Sequence, residues 1–171
     1  MTLQIRTAVP ADAALLADLG ARTFRDAFGA LNDPADLAQF LGTEFTPERQ
    51  AAELARDDWT TLLAVADSTP VGYAQSLPRE APVPVEPGPV RFLRRLYLEQ
   101  AWTGRGVGRP LLEAIAADAR ARGAATLWLN TWERATQAIA FYRKQGFVEV
   151  GTMTFMVGTD PQRDLVFALR L

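Results

Sequence analysis

The chain has 171 residues, 49% hydrophobic and 22% charged, with a formal net charge of -2 and neither cysteine nor histidine. That length and apolar content suit one domain with a sizeable core and exclude a disordered chain. The two missing residue types exclude disulfides, thiolate nucleophiles, Ser-His catalysis and every imidazole- or thiolate-held metal.

In chain order, Leu3 to Arg6 reads as a short strand. Asp12 is placed to cap a helix whose residues Leu15, Leu16, Leu19, Phe24 and Phe28 share one apolar face. Asp33-Pro34 and Thr46-Pro47-Glu48 each pair a capping residue with a first-turn proline. They start a second helix carrying Leu37, Phe40 and Leu41, and a short third one through about Ala55. Strands Thr60 to Ala66 and Val71 to Leu77 follow, joined by the turn residues Asp67-Ser68-Thr69-Pro70. Five prolines make Pro78 to Val90 a stiff loop, read as one rim of a pocket.

The second half alternates more regularly. Strand Arg91 to Glu99 runs into a glycine-rich turn and then a helix with Val107, Leu111, Leu112, Ile115 and Ala119 on one side. Thr126 to Thr131 is a strand, and Thr136 to Gln145 a helix closed by Gly146. Phe147 to Phe155 and Leu165 to Leu171 complete the set as strands. The pattern predicts a single domain over residues 1–171, α/β in class, with a mixed sheet of about seven strands flanked by helices. One helix between strands 91–99 and 126–131 demands a crossover, so those two strands are expected to be parallel.

Acids (20) outnumber bases (18), which argues against a nucleic-acid partner. No apolar run is long enough for a membrane, and the start lacks the basic-then-apolar signature of a secretory signal. A cytoplasmic enzyme or binding domain is the expectation, with no metal, since no acidic cluster points to a carboxylate-only site.

The strongest local signal is Gly104-Arg105-Gly106-Val107-Gly108 between a strand and a helix. Closely spaced glycines let successive amides converge, and the helix start adds partial positive charge, so the turn suits a pyrophosphate. Arg105 and Arg109 flank it, with Arg143 and Lys144 as further cations. A P-loop would end in Gly-Lys-Ser/Thr, where Arg109-Pro110 stands, and a dinucleotide fingerprint would need glycine at Arg109. A glycine turn without a ligand is the competing reading.

The turn, preceded by Thr103, resembles the Gln/Arg-x-x-Gly-x-Gly/Ala loop of the GNAT superfamily of N-acetyltransferases, with Thr103 in the place of Gln or Arg. A second block, AIAFYRKQGF from Ala138 to Phe147, is similar to that superfamily's Tyr-bearing helix ending in Gly-Phe. RTFRDAF, NDPADLAQFL, LWLNTWERATQAIAFY and the tail from Gly151 resemble the PaiA-like, polyamine-acetylating branch. Where that branch reads Trp-Glu-x-Asn, this chain has Trp132-Glu133-Arg134-Ala135.

The resemblance implies a GNAT-type mixed sheet in which two parallel strands splay and hold acetyl-CoA, a cosubstrate, in the gap. Leu96, Tyr97 and Leu98 would line the pantetheine arm, and the Leu98 N–H would polarise the acetyl carbonyl. Thr103, Gly104, Arg105, Gly106, Val107, Gly108 and Arg109 would hold the pyrophosphate, and Asn130 would stand in for the Asn that Ala135 replaces. Tyr142 would touch the cofactor and act as general acid. Thr23, Phe24, Asp26 and Phe28, with Asp36, are the candidates for binding the acceptor. The Glu that some relatives carry four residues before Leu98 is Arg94 here, which leaves water, Glu133 or Glu99 to take the amine proton. The implied activity is direct acetyl transfer to a primary amine of a small molecule, in this branch a polyamine. A protein N-terminus, an amino acid or an antibiotic is an alternative acceptor, and a homodimer stays open. A catalytically weak acyl-CoA-binding module is the reading from a different class.

Overall fold

Asp67 and Ser68 both adopt positive φ, 45° and 68°, and that pair alone closes the first hairpin. The structure is a computed structural model that describes residues 2–171. It contains β1 (Leu3–Thr7), α1 (Ala13–Phe28), α2 (Pro34–Glu44), α3 (Pro47–Leu54), β2 (Thr60–Ala66) and β3 (Thr69–Leu77). These are followed by β4 (Val90–Leu98), α4 (Gly108–Ala121), β5 (Thr126–Trp132), α5 (Thr136–Lys144), β6 (Val148–Val157) and β7 (Asp160–Arg170). The turn between β2 and β3 is therefore shorter than the four residues expected. Thr69 and Pro70 already belong to β3, where the ladder shifts register at Ala64 and Val65 and pairing with β4 starts only at Gly72.

The caps behave as their chemistry requires, with one correction. Asp33 accepts from the amides of Ala35 and Asp36, and Thr46 from that of Arg49. Asp12 does not cap α1. It lies in a short 3₁₀ turn, accepts from Val9 N at 2.8 Å and is clasped by both Arg6 terminal nitrogens at 2.7 and 2.8 Å. Its carboxylate ties β1 to the chain entering α1 instead.

The seven strands form one mixed sheet in the order β1-β2-β3-β4-β5-β7-β6. α4 and α5 cover one face around Leu111, Ile115, Leu127 and Phe167. The other face is covered by α1, α2 and α3, around Leu16, Leu19, Leu63, Tyr73 and the Phe24 cluster. Only β4 and β5 run parallel, and they pair over three positions, Val90 to Phe92 against Thr126 to Trp128. Beyond Phe92 they diverge, as expected.

A β-bulge marks the place of divergence. Against β3, the register steps from Gln75↔Arg95 to Ser76↔Leu93, so Arg94 is one residue too many. Strand side chains normally alternate between faces, but here Arg94 and Arg95 turn the same way. Both bind Glu44 and Glu53 at 2.7–3.1 Å, on the side of α2 and α3. The proline-rich loop lies over the paired ends of the same two strands. Trp128 Nε1 donates to Arg79 O at 2.7 Å, and the Arg79 guanidinium sits 5.1 Å from the Phe92 ring centre. Among the described residues, no helix is long and apolar enough to cross a membrane.

Candidate active site

Divergence of β4 from β5 opens a cleft of ≈ 1740 Å³ through the middle of the molecule. Its walls include the last turns of α1, the ends of β4 and β5, the glycine-rich turn, α5 and the inner face of β7. Backbone direction on β4 follows from one hydrogen bond. Glu99 N donates to Val71 O at 2.9 Å, so the N–H groups of Leu98 and Leu96, at alternate positions, point away from β3 into the gap. Pairing with β5 has ended by then, and these amides meet no strand. The Leu98 side chain is fixed over Gly72, where any Cβ would overlap Leu98 Cδ2 and Tyr97 O, and it packs against Gly108.

The glycine-rich turn closes one end of the cleft. Gly104 and Gly106 hold φ of +77° and +83°, which only glycine adopts without strain. Among the described residues, the amides of Gly106, Val107, Gly108 and Arg109 donate to no protein acceptor. They are the open donors of the α4 N-terminus together with the turn before it. Thr103 and Arg105 belong to the same turn. The Arg105 guanidinium lies 5.5 Å from the Trp102 ring centre, and Arg109 pairs with Glu113 at 2.7 Å on the helix surface. Arg143 is engaged with Glu149 at 3.1 Å, whereas Lys144 lines the cleft.

Tyr142 lies on the inner side of α5, packed edge-on against Phe141 and Phe147 with ring centres 5.4 and 5.5 Å away. It is 8% exposed and lines the cleft, and its hydroxyl finds no partner among the described residues. Burial pushes its phenol well above the ordinary range, so the hydroxyl keeps its proton. Tyr97 is partly buried against the rings of Phe24, Phe45 and Tyr73 and lines the cleft, on the opposite side of the sheet from Leu98.

Thr23, Phe24, Asp26 and Phe28 all reach the cleft wall. The Thr23 hydroxyl is turned back to Leu19 O at 2.7 Å, so it offers shape rather than a free donor. Phe24, Phe28 and Trp132 form a continuous aromatic wall, with centroid separations of 4.8 and 6.2 Å. Asp36 is elsewhere. It accepts from the Thr159 hydroxyl at 2.9 Å and from the Thr159 amide, and so clamps the β6–β7 turn onto α2. The two carboxylates considered for the amine proton are both engaged: Glu99 with Arg22, and Glu133 with Arg163 at 2.7 Å.

One functional group escaped the reading of the sequence. Asp164, on β7, is 3% exposed and lines the cleft, with Oδ2 accepting from Asn130 Nδ2 at 2.6 Å and Oδ1 without any partner. Burial pushes its carboxyl up to about 6, against a lowering hydrogen bond from Asn130 and with a small raising contribution from Glu133. The alternation Gln162, Asp164, Val166 carried the signal, since it places an acid on the inward side of a strand.

A family model described as Acetyltransferase (GNAT) family matches residues 28–147. An uncharacterized N-acetyltransferase of Mycobacterium bovis is 33% identical over 160 residues, which is 94% of this chain and 98% of that protein. An aminoglycoside N(6')-acetyltransferase type 1 of Stenotrophomonas maltophilia is 35% identical over 152 residues, covering 88% and 90% of the two chains. Among solved structures, the PaiA N-acetyltransferase of Thermoplasma acidophilum in complex with coenzyme A superposes with a TM-score of 0.83 at 20% identity, over 100% of both chains.

Proposed function

The chain belongs to the GNAT family of acetyltransferases, and from that premise we propose that it transfers an acetyl group from acetyl-CoA directly to a primary amine of a small cationic molecule, a polyamine foremost. The observation that carries this reading is the pair of open amide rows in one cleft. Leu96 and Leu98 offer N–H groups along the β4 edge, and Gly106 to Arg109 offer them at the mouth. Such a layout fits a ligand with peptide-like amides in its middle and phosphates at one end.

In this reading the amides from Gly106 to Arg109 bind the pyrophosphate, and the Leu96 and Leu98 amides align the pantetheine arm. The Leu98 N–H then faces the thioester carbonyl and polarises it toward attack. Tyr142, protonated at neutral pH, donates to the departing sulfur. In this reading transfer is direct, with neither a cysteine nor a histidine in the chain to form an acyl-thioester or acyl-imidazole intermediate. Asn130 lines the cleft and gives one N–H to Asp164, which leaves its other N–H and its Oδ1 to stand in for the contact that Ala135 forgoes. The acceptor enters from the α1–α2 side, past Phe24, Phe28 and Trp132, with Asp26 at the exposed rim. Aromatic faces joined to carboxylates favour a cation. The Stenotrophomonas maltophilia relative, by name an aminoglycoside N(6')-acetyltransferase, points to the same substrate chemistry, a small molecule with several amines.

The test is thiol release from acetyl-CoA with spermidine, spermine, an aminoglycoside, free amino acids and peptide N-termini, alongside calorimetry of coenzyme A binding. Turnover with the polyamines is expected to exceed that with amino acids and peptides. Binding of coenzyme A without thiol release from any amine would reduce the chain to an acyl-CoA-binding module.

A further inference from the structure

We propose that Asp164 receives the acceptor's ammonium group and takes its first proton, an assignment that rests on the reading of the chain as an amine acetyltransferase. The position comes from strand geometry. On β7, Leu165 and Phe167 face α4 and α5, so Asp164 between Gln162 and Val166 faces the side of α1 and α2 from which Phe24 and Phe28 enter the cleft. Its neighbours across the ladder are Trp132 on β5 and Met153 on β6. The result is a carboxylate at the foot of an aromatic and thioether wall, a setting that suits an alkyl ammonium.

The carboxylate is also incompletely satisfied. A buried carboxylate ordinarily collects several donors, because each unmet lone pair costs free energy. Asp164 has one, from Asn130, and its Oδ1 is buried and unpartnered. Among the described residues, no Lys or Arg pairs with it. The β4 arginines on that side of the sheet, Arg94 and Arg95, are committed to Glu44 and Glu53. The groups that face it are Tyr97 from β4 and Glu133 from the end of β5, while β6 presents Met153 and α1 presents Phe28 behind Trp132. Burial is the main influence raising the Tyr97 phenol, and the Asp164 charge adds a smaller one in the same direction. An ammonium supplies what is missing, a positive donor for Oδ1.

The chemistry balances. The ammonium R–NH₃⁺ gives one proton to Asp164, and the freed lone pair forms the C–N bond at the acetyl carbon. The C–S bond breaks with its electron pair on sulfur, which takes the Tyr142 proton. The second N–H proton, lost as the amide forms, restores Tyr142, and Asp164 returns its own to solvent. An ammonium and a thioester thus become an amide, a thiol and one proton. A carboxyl held up to about 6 is ionised at neutral pH and still basic enough to accept.

The experiment compares wild type with Asp164→Asn, which keeps the shape and a partner for Asn130. With spermidine as acceptor, kcat/KM is expected to fall by about 10²-fold or more, the scale for a lost general base. The wild-type acid limb near pH 6 should vanish from the variant's profile, and coenzyme A affinity should stay within about twofold. A wild-type profile with no acid limb between pH 5 and 7, or a variant with near-normal kcat/KM and an unchanged profile, overturns the assignment alone. No thiol release from wild type with any amine removes the acetyltransferase reading, and this assignment with it. Circular dichroism and melting of both proteins separate misfolding from lost chemistry, and Asp164→Glu provides a folded carboxylate control in which the acid limb should persist.

Discussion

Glu53 and Asp164 are both buried carboxylates on the same side of the sheet, 6% and 3% exposed, yet their surroundings are opposites. Glu53 accepts from Arg94 at 2.7 Å, Arg95 at 2.7 Å, Arg49 at 3.2 Å and Gln75 at 3.1 Å. Burial alone would raise its carboxyl, but the charges of Arg95 and Arg94 and the Gln75 amide outweigh that and hold it below the ordinary range. Asp164 has a single amide donor, and there burial wins. Saturation with donors marks a group that serves the architecture. A shortage of donors marks one that is kept for something from outside the chain.

The comparison breaks most visibly under a single chemical change made twice. Glu53→Gln strands two guanidiniums and is expected to cost about 3 kcal/mol of stability, read by urea denaturation at pH 7.5. A loss below about 1 kcal/mol would mean that Glu44 alone suffices for Arg94 and Arg95. Tyr142 is a second under-satisfied group, and Tyr142→Phe removes only its hydroxyl. Turnover should slow by roughly 10²-fold while the melting temperature holds, and near wild-type kcat with a good acceptor would return Tyr142 to a packing role.

The sign reverses at Asp164. Its carboxyl titrates at about 6 in the folded chain against an ordinary 3.8, so between those values the native state holds a proton that the unfolded state has released. Stability should therefore fall as pH rises through that window, by about 3 kcal/mol in all. Asp12 and Glu53 are shifted the other way and act only at lower pH, near their own titration ranges. Asp164→Asn should flatten the slope between pH 5 and 6.5 and leave the variant more stable than wild type above that range. Parallel slopes in the two proteins would place the strain elsewhere. The smallest expected effect concerns the open amides at the cleft mouth. Gly106→Val imposes a side chain on a φ of +83° and should weaken coenzyme A binding about tenfold, or 1.4 kcal/mol, by calorimetry.

Much of this was legible before any coordinates. Proline-led caps at Asp33 and Thr46 located α2 and α3, and the lone helix between two strand patterns fixed the parallel pair. The spacing of Gly104 and Gly106 marked a turn in which amides converge, and the structure adds that both hold positive φ; Phe24 and Phe28, named for the acceptor, line the cleft. The failures have physical reasons. A carboxylate before an apolar helix usually caps it, but Asp12 is taken by Arg6, six residues back on β1. Asp36 and Asp26 look alike in sequence, and only the β6–β7 turn decides which of them is tied down. Glu133 and Glu99 lie near the motifs, but local position says nothing about Arg163 on β7 or Arg22 on α1, which hold them. Asp164 was passed over because a polar residue on a final strand invites no chemistry until its inward neighbours are known.

The extra residue at position 94 has a wider consequence. Cavities are usually thought of as places where side chains are too small, but this one originates in arithmetic, since β4 spends one residue more than β3 across from it. No single replacement at Arg94 restores the count. A library of point substitutions would rate the position by its ion pairs with Glu44 and Glu53 and miss what the backbone does there. Removing the residue altogether lets β4 run on in step with its neighbours. Its alternation would then return with Arg95 still on the side of α2 and α3, now the only β4 arginine facing Glu44 and Glu53. The cleft is thus encoded as a length, and length is what drift by deletion or insertion can erase in one event.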